Sequence, residues 1–194
     1  MTKRLFGRGL LTLALLMPAA AANARSLEMT ALQDSCGPRA DSPSPEHLNR
    51  LGWASVAPGA NPSLQRAWQI LTQGPAGGEP LSHSSFVRNE GARTIYLILS
   101  EGKTGDKDRS VRFFHCKILN FDATAPLDDQ EFDQWKGSQR PANGILDAPK
   151  RQWVNPVPGV HNVAYSFVAR GSKAATAMGF HGHLLTAMVP IPAE

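Results

Sequence analysis

The order of hydrophobic periodicities along the 194-residue chain predicts an α+β fold: a mostly antiparallel sheet of about five strands, two N-terminal helices, and one helix inserted before the last two strands. Three observations carry this expectation. Two capped helical segments lie near the N-terminus, three strand-like runs follow them, and a helical segment rich in first-turn acids precedes two further strand-like runs. The strand-like runs are joined by short connections, which favours antiparallel neighbours.

The first 24 residues, "MTKRLFGRGLLTLALLMPAAAANA", combine Lys3, Arg4 and Arg8, an apolar run from Leu10 to Met17, and small residues ending at Ala24. This is the pattern of a secretory signal peptide, so residues 25–194 are expected to form a single exported domain, periplasmic or secreted. The apolar run is shorter than the roughly 20 residues that span a bilayer, and no later segment is long and apolar enough, which predicts no stable membrane insertion after leader removal. A lipid anchor is disfavoured because the first cysteine, Cys36, follows "LQDS" and not the small residues of the leader. Loss of the three leader cations leaves 17 basic against 16 acidic residues, a net charge of +1. A global charge that low argues against nucleic acid as a partner.

The chain has two cysteines, Cys36 and Cys116, and an oxidising compartment favours a disulfide between them. Closing a loop of that length stabilises the fold by about 4 to 5 kcal/mol on the chain-entropy model. A redox dithiol would favour a Cys-x-x-Cys pair, which is not present.

Residues Arg25 to Asp41 show little periodicity and are expected to lie along the domain surface, fixed by Cys36. In "SPEHLNRLGW", Ser44 caps a short helix that starts at Pro45 and stops at Gly52. In "NPSLQRAWQILTQGP", Asn61 caps a second helix whose Leu64, Ala67, Trp68 and Leu71 form one apolar stripe. After the "GPAGGEP" linker come the strands "SHSSFVRN", "RTIYLILS" and "SVRFFHCKILNF", with "EGKTGDKDR" as a hairpin connection between the last two. The second strand is apolar on both faces and is therefore expected to be central. In the third, Phe114, Cys116 and Ile118 share one face while Phe113, His115 and Lys117 share the other.

The segment "TAPLDDQEFDQWKG" is expected to be a helix, with Thr124 as cap, Asp128 and Asp129 in the first turn, and Leu127, Phe132 and Trp135 on its apolar side. It has no Asp-x-Asp-x-Asp-Gly calcium loop. Residues 138–159, with Pro141, Pro149, Pro156 and Pro158, read as a long loop. Within it Arg151 and Trp153 could contact an acidic or sugar ligand, against the simpler reading in which Trp153 pins the loop and the cations are solvated. "VHNVAYSFVARG" and "TAMGFHGHLLTAMV" close the chain as two strands joined around "GSKA".

The pair His181 and His183 in "GFHGH" sits two residues apart on the last expected strand, so both would share a face and could chelate zinc or copper. A third ligand is required, with His161 or His115 as candidates. In an antiparallel pair, opposed residues have a constant sum, and an even sum would place His161 on the His181 face. Matching Val163, Tyr165 and Phe167 with Met178, Phe180, Leu184 and Met188 favours an odd sum, which argues against the three-histidine site and against any cofactor.

Nucleophile motifs are incomplete. "SEGK" and "KTG" match two β-lactamase elements but share Lys103, and "GKT" lacks the first glycine of a phosphate loop because position 97 is Leu97. There is no Gly-x-Ser-x-Gly elbow. The sequence thus points to a non-enzymatic binding or interaction module of the cell envelope with no identified partner, and its alternative is a metal-dependent hydrolase or metal-binding protein using His181 and His183.

Overall fold

In a computed structural model that describes residues 25–37, 43–73, 79–104, 111–135 and 137–191, the chain builds one large antiparallel sheet flanked by short helices. The expected leader at 1–24, most of "GPAGGEP" and part of "EGKTGDKDR" lie outside the described residues. The elements run α1 (Leu27–Cys36), α2 (Pro45–Arg50), β1 (Ala54–Ser55), α3 (Pro62–Leu71), β2 (Glu79–Glu90), β3 (Arg93–Thr104), β4 (Val111–Asn120), β5 (Ser138–Ile145), β6 (Ala148–Val157), β7 (Val160–Val168), α4 (Lys173–Met178) and β8 (Gly182–Pro190). Spatially the strands follow the order β1-β2-β3-β4-β8-β7-β6-β5, so the last strand of the chain fills the middle of the sheet.

The α+β class and the antiparallel sheet are as expected, but the sheet has eight strands and not about five, and the helices are laid out differently. Helices α2 and α3 form where their caps lie: the side chains of Ser44 and Asn61 accept from the His47 and Leu64 amides. Helix α1 occupies the segment expected along the domain surface, and much of it is buried instead. Leu27, Glu28, Met29, Ala31, Leu32, Ser35 and Cys36 are all buried, so its apolar residues encircle much of the helix and leave no one-sided stripe to read. Its N-cap is Ser26, whose hydroxyl accepts from the Met29 amide.

The expected helix at 124–137 is instead an extended segment with one 3₁₀ turn, Asp129–Phe132. The Leu127 amide donates to the Tyr165 hydroxyl at 2.8 Å, and Phe132 stacks on Trp153 with centroids 5.1 Å apart. These contacts to distant strands pull the segment out of helical geometry. The expected loop at 138–159 is a β-hairpin whose prolines fall where strands tolerate them: Pro141 on the edge strand β5, Pro149 near the start of β6, and Pro156 at the bulge between Val154 and Val157. The first part of the expected final strand is helix α4, doubly held at its start by Ser172 and by the Asp147 carboxylate, which accepts from the Lys173 and Ala174 amides.

Each sheet face carries its own core. On one face Ile95, Leu97, Cys116, Ile118, Val163, Tyr165 and Leu185 pack against α1, α2, Trp53 and the Phe132–Trp135 turn. On the other, Ile98, Leu119, Leu184 and Val168 pack against α3 and α4. Strand β3 is apolar on both faces and lies inside the sheet, as expected for a central strand. Cys36 and Cys116 are disulfide-bonded, fixing the end of α1 to the middle of β4. Among the described residues, no helix is long and apolar enough to cross a membrane.

Candidate functional site

The two histidines of "GFHGH" are directed to different places by the glycine between them. Gly182 has φ +104°, and a Cβ there would lie 1.9 Å from the Asn120 carbonyl oxygen, so the chain turns where only glycine fits. His181 precedes β8, with Nε2 3.0 Å from an Arg170 guanidinium nitrogen. His183 is buried, with Nδ1 2.9 Å from Glu28 Oε1 and Nε2 2.7 Å from the Ala125 carbonyl oxygen. Asn120 donates to the same Glu28 oxygen at 2.6 Å. Burial pushes the Glu28 carboxyl up, but the bonds from His183 and Asn120 outweigh it and hold the group below its ordinary range.

The β7–β8 register has an even sum, pairing Val163 with Ala187 and Tyr165 with Leu185, which corrects the odd sum expected from hydrophobic matching. An odd sum follows only if β8 has one apolar face, whereas β8 is buried on both because it lies between two strands and under two cores. The even register puts His161 on the His183 face, yet His183 is opposite Phe167, six residues from His161 and about 20 Å away along the strand. His115 projects from the other face of β4. Among the described residues no group of three His, Cys, Asp or Glu side chains is placed to hold a metal.

Arg151 and Trp153 lie together on β6. Trp153 is buried against Phe132 and Trp135, while Arg151 donates to Asp129 at 2.6 Å and its guanidinium lies 5.5 Å from the Phe132 ring centroid.

A different cluster emerges where β2, β3, β4, β8 and β7 run side by side. The registers align His83, Ser100, His115, Met188 and Asn162 in one row across the face that also carries α3, and Lys117 and Thr186 in the next. The first row spans four strand spacings, about 19 Å. Lys117 is 3% exposed and Ser100 7%, whereas His83, His115, Thr186, Met188 and Asn162 are half-buried, so the strip has a buried floor and a partly open rim. Lys117 Nζ donates to Ser100 Oγ at 2.9 Å, and among the described residues no carboxylate lies within ion-pair distance of it. His83 Nδ1 and Asn162 Oδ1 are buried without hydrogen-bond partners.

The electrostatics follow from this seclusion. Burial lowers the Lys117 pKa to about 8. His115 is driven down to about 4, first by burial and then by the positive charges of Lys117 and Lys150. Burial and the Lys117 charge also lower His83, whose ring meets Trp68 of α3 edge-on with centroids 5.8 Å apart. The strip is therefore cationic at its floor, with hydrogen-bonding capacity unspent at its rim.

No family model, curated protein or solved structure matches this chain. The strip must be interpreted from its own chemistry. A hydroxyl bonded to a lysine of lowered pKa has the make-up of a Ser–Lys nucleophile pair. Ser100, however, sits in mid-strand, its residue paired to both β2 and β4, without the sharp turn that exposes a nucleophile beside free backbone donors. Alternation along β4 puts His115 and Lys117 on one face, so a lysine in a largely apolar strand is the signal the sequence carries, and only strand order adds His83, Ser100 and Asn162.

Proposed function

We propose that this chain is an exported, non-enzymatic binding module that receives a small carboxylate-bearing molecule on the strip above Lys117. The observation that carries this reading is the buried lysine, which has no counter-ion among the described residues. An uncompensated buried charge is destabilising, and a ligand carboxylate supplies the missing partner. The neutral His83 and His115, with Thr186 and Asn162, offer hydrogen bonds to the remainder of such a ligand. A single floor cation favours a monoanion. The disulfide Cys36–Cys116 supports the exported part of the reading.

Calorimetric titration with the monoanions acetate, pyruvate and benzoate, and with the dianion succinate for comparison, tests this against the Lys117→Met variant. At least one of the three monoanions should bind the wild type, and its affinity should fall by about tenfold or more in the variant, the scale of one hydrogen bond to a charged group. Equal affinities in the two proteins, or no binding to either, would overturn the proposal. Ser100-dependent ester hydrolysis would replace it with an enzyme.

A further inference from the structure

On the opposite face of the sheet, where the β2–β3 hairpin approaches the start of α1, Arg25, Arg88 and Arg93 line a recess of about 450 Å³ together with Leu27, Thr30 and Glu90. The three guanidiniums come from the segment before α1, from β2 and from β3, and they meet one carboxylate, which leaves the recess with a formal charge of +2. Arg88 is 9% exposed and fixed: its guanidinium lies 5.7 Å from the Trp53 ring centroid, and Nε donates to Glu90 Oε1 at 2.8 Å while Nη2 reaches the same oxygen. Arg25 donates to Gln33 Oε1. Arg93 is exposed and makes no ion pair among the described residues, although it stands directly across the ladder from Glu90.

We infer that this recess is a second, independent binding site, for a phosphate monoester dianion held by Arg25, Arg88 and Arg93. Guanidiniums present paired N–H donors that match phosphate oxygens, and a dianion balances the charge that Glu90 leaves uncompensated. Because Arg88 is held by Trp53 and Glu90 before any ligand arrives, part of the ordering that binding requires is already in place. Thr30 adds a hydroxyl to the wall. A lipid headgroup and a soluble phosphate ester share this chemistry.

Titration with inorganic phosphate, followed by calorimetry, and flotation with phosphatidylcholine vesicles containing or lacking phosphatidic acid separate the two sources. The Arg25→Gln, Arg93→Gln double variant is the informative one, since it spares Arg88 and its packing on Trp53; Arg170→Gln removes a remote surface cation for comparison. Saturable binding of either probe that weakens tenfold to a hundredfold in the double variant, and is retained in Arg170→Gln, supports the site. Binding to phosphatidic acid vesicles without binding of free phosphate makes a lipid surface the source, and the converse makes it a soluble ester. Absence of saturable binding, or equal weakening in both variants, overturns the inference.

Discussion

Lys117 makes the stability of the fold depend on pH. Its folded pKa of about 8 lies below the ordinary 10.5, so between those values the unfolded chain binds more protons than the native one. Native stability therefore rises as pH climbs from about 8 to 10.5, by roughly 3 kcal/mol if the lysine acts alone. His115, neutral down to about 4, behaves alike in a lower window: stability falls as pH drops from 6.5 towards 4. The other titratable groups facing this strip are His83 and Lys150. Lys117→Met should remove the alkaline rise and leave the protein more stable than wild type at pH 7, by 1 to 3 kcal/mol after about 1 is subtracted for the bond lost to Ser100. Urea unfolding at pH 7 and pH 10 measures both effects, and a variant less stable at pH 7 would mean that the lysine is already compensated. A residue that destabilises the free protein while organising the strip is what a ligand-holding role implies.

At the scale of elements, α1 is fixed to the sheet by two unlike attachments. One is the disulfide from Cys36 to Cys116; the other is Glu28, buried and bonded to His183 and Asn120. Replacing Glu28 with Ala leaves two buried polar side chains without their shared acceptor and should cost about 3 kcal/mol, whereas Gln retains an acceptor oxygen and should cost about half as much. Thermal unfolding of the two variants with the disulfide intact checks the order; equal and small losses would show that packing and the disulfide hold α1 without Glu28. The same attachment explains why α1 escaped sequence reading. Glu28 is a charged residue on a buried side, so it interrupts the pattern that marks a helix as amphipathic. Helices α2 and α3 were legible because a cap residue followed by proline, and a stop signal, are local chemistry. The 138–159 hairpin was not, because prolines that break a central strand are harmless at an edge or a bulge, and edge position is not written locally.

At the scale of the whole molecule, β8 is both the last strand and the one that joins the two halves. It pairs with β4 on one side and β7 on the other, so the β1-to-β4 and β5-to-β7 ladders share no strand until it is in place. A chain ending at Phe180 should lack a cooperative thermal transition, because each half would expose a long unpaired edge and one side of its core. Circular dichroism melts of the truncated and complete chains test this, and a sharp transition in the truncated chain would show that one half folds alone. Pairing of such distant segments also predicts slow folding, on the millisecond-to-second scale.

Local sequence signals suffice for the α+β class, the antiparallel pairing of neighbouring strands, the disulfide partners, helices α2 and α3, and the two faces of β4. Long-range packing sets the strand count, the β7–β8 register, the divergence of His181 from His183 and the assembly of the Lys117 strip. The division follows from range. Caps, turns and alternation report how one segment meets water, and they fall silent in strands buried on both faces, where β8 carries Leu184 and Leu185 into opposite cores. In such strands the neighbours that supply hydrogen bonds and packing set register and position, and those neighbours lie tens of residues away in the chain.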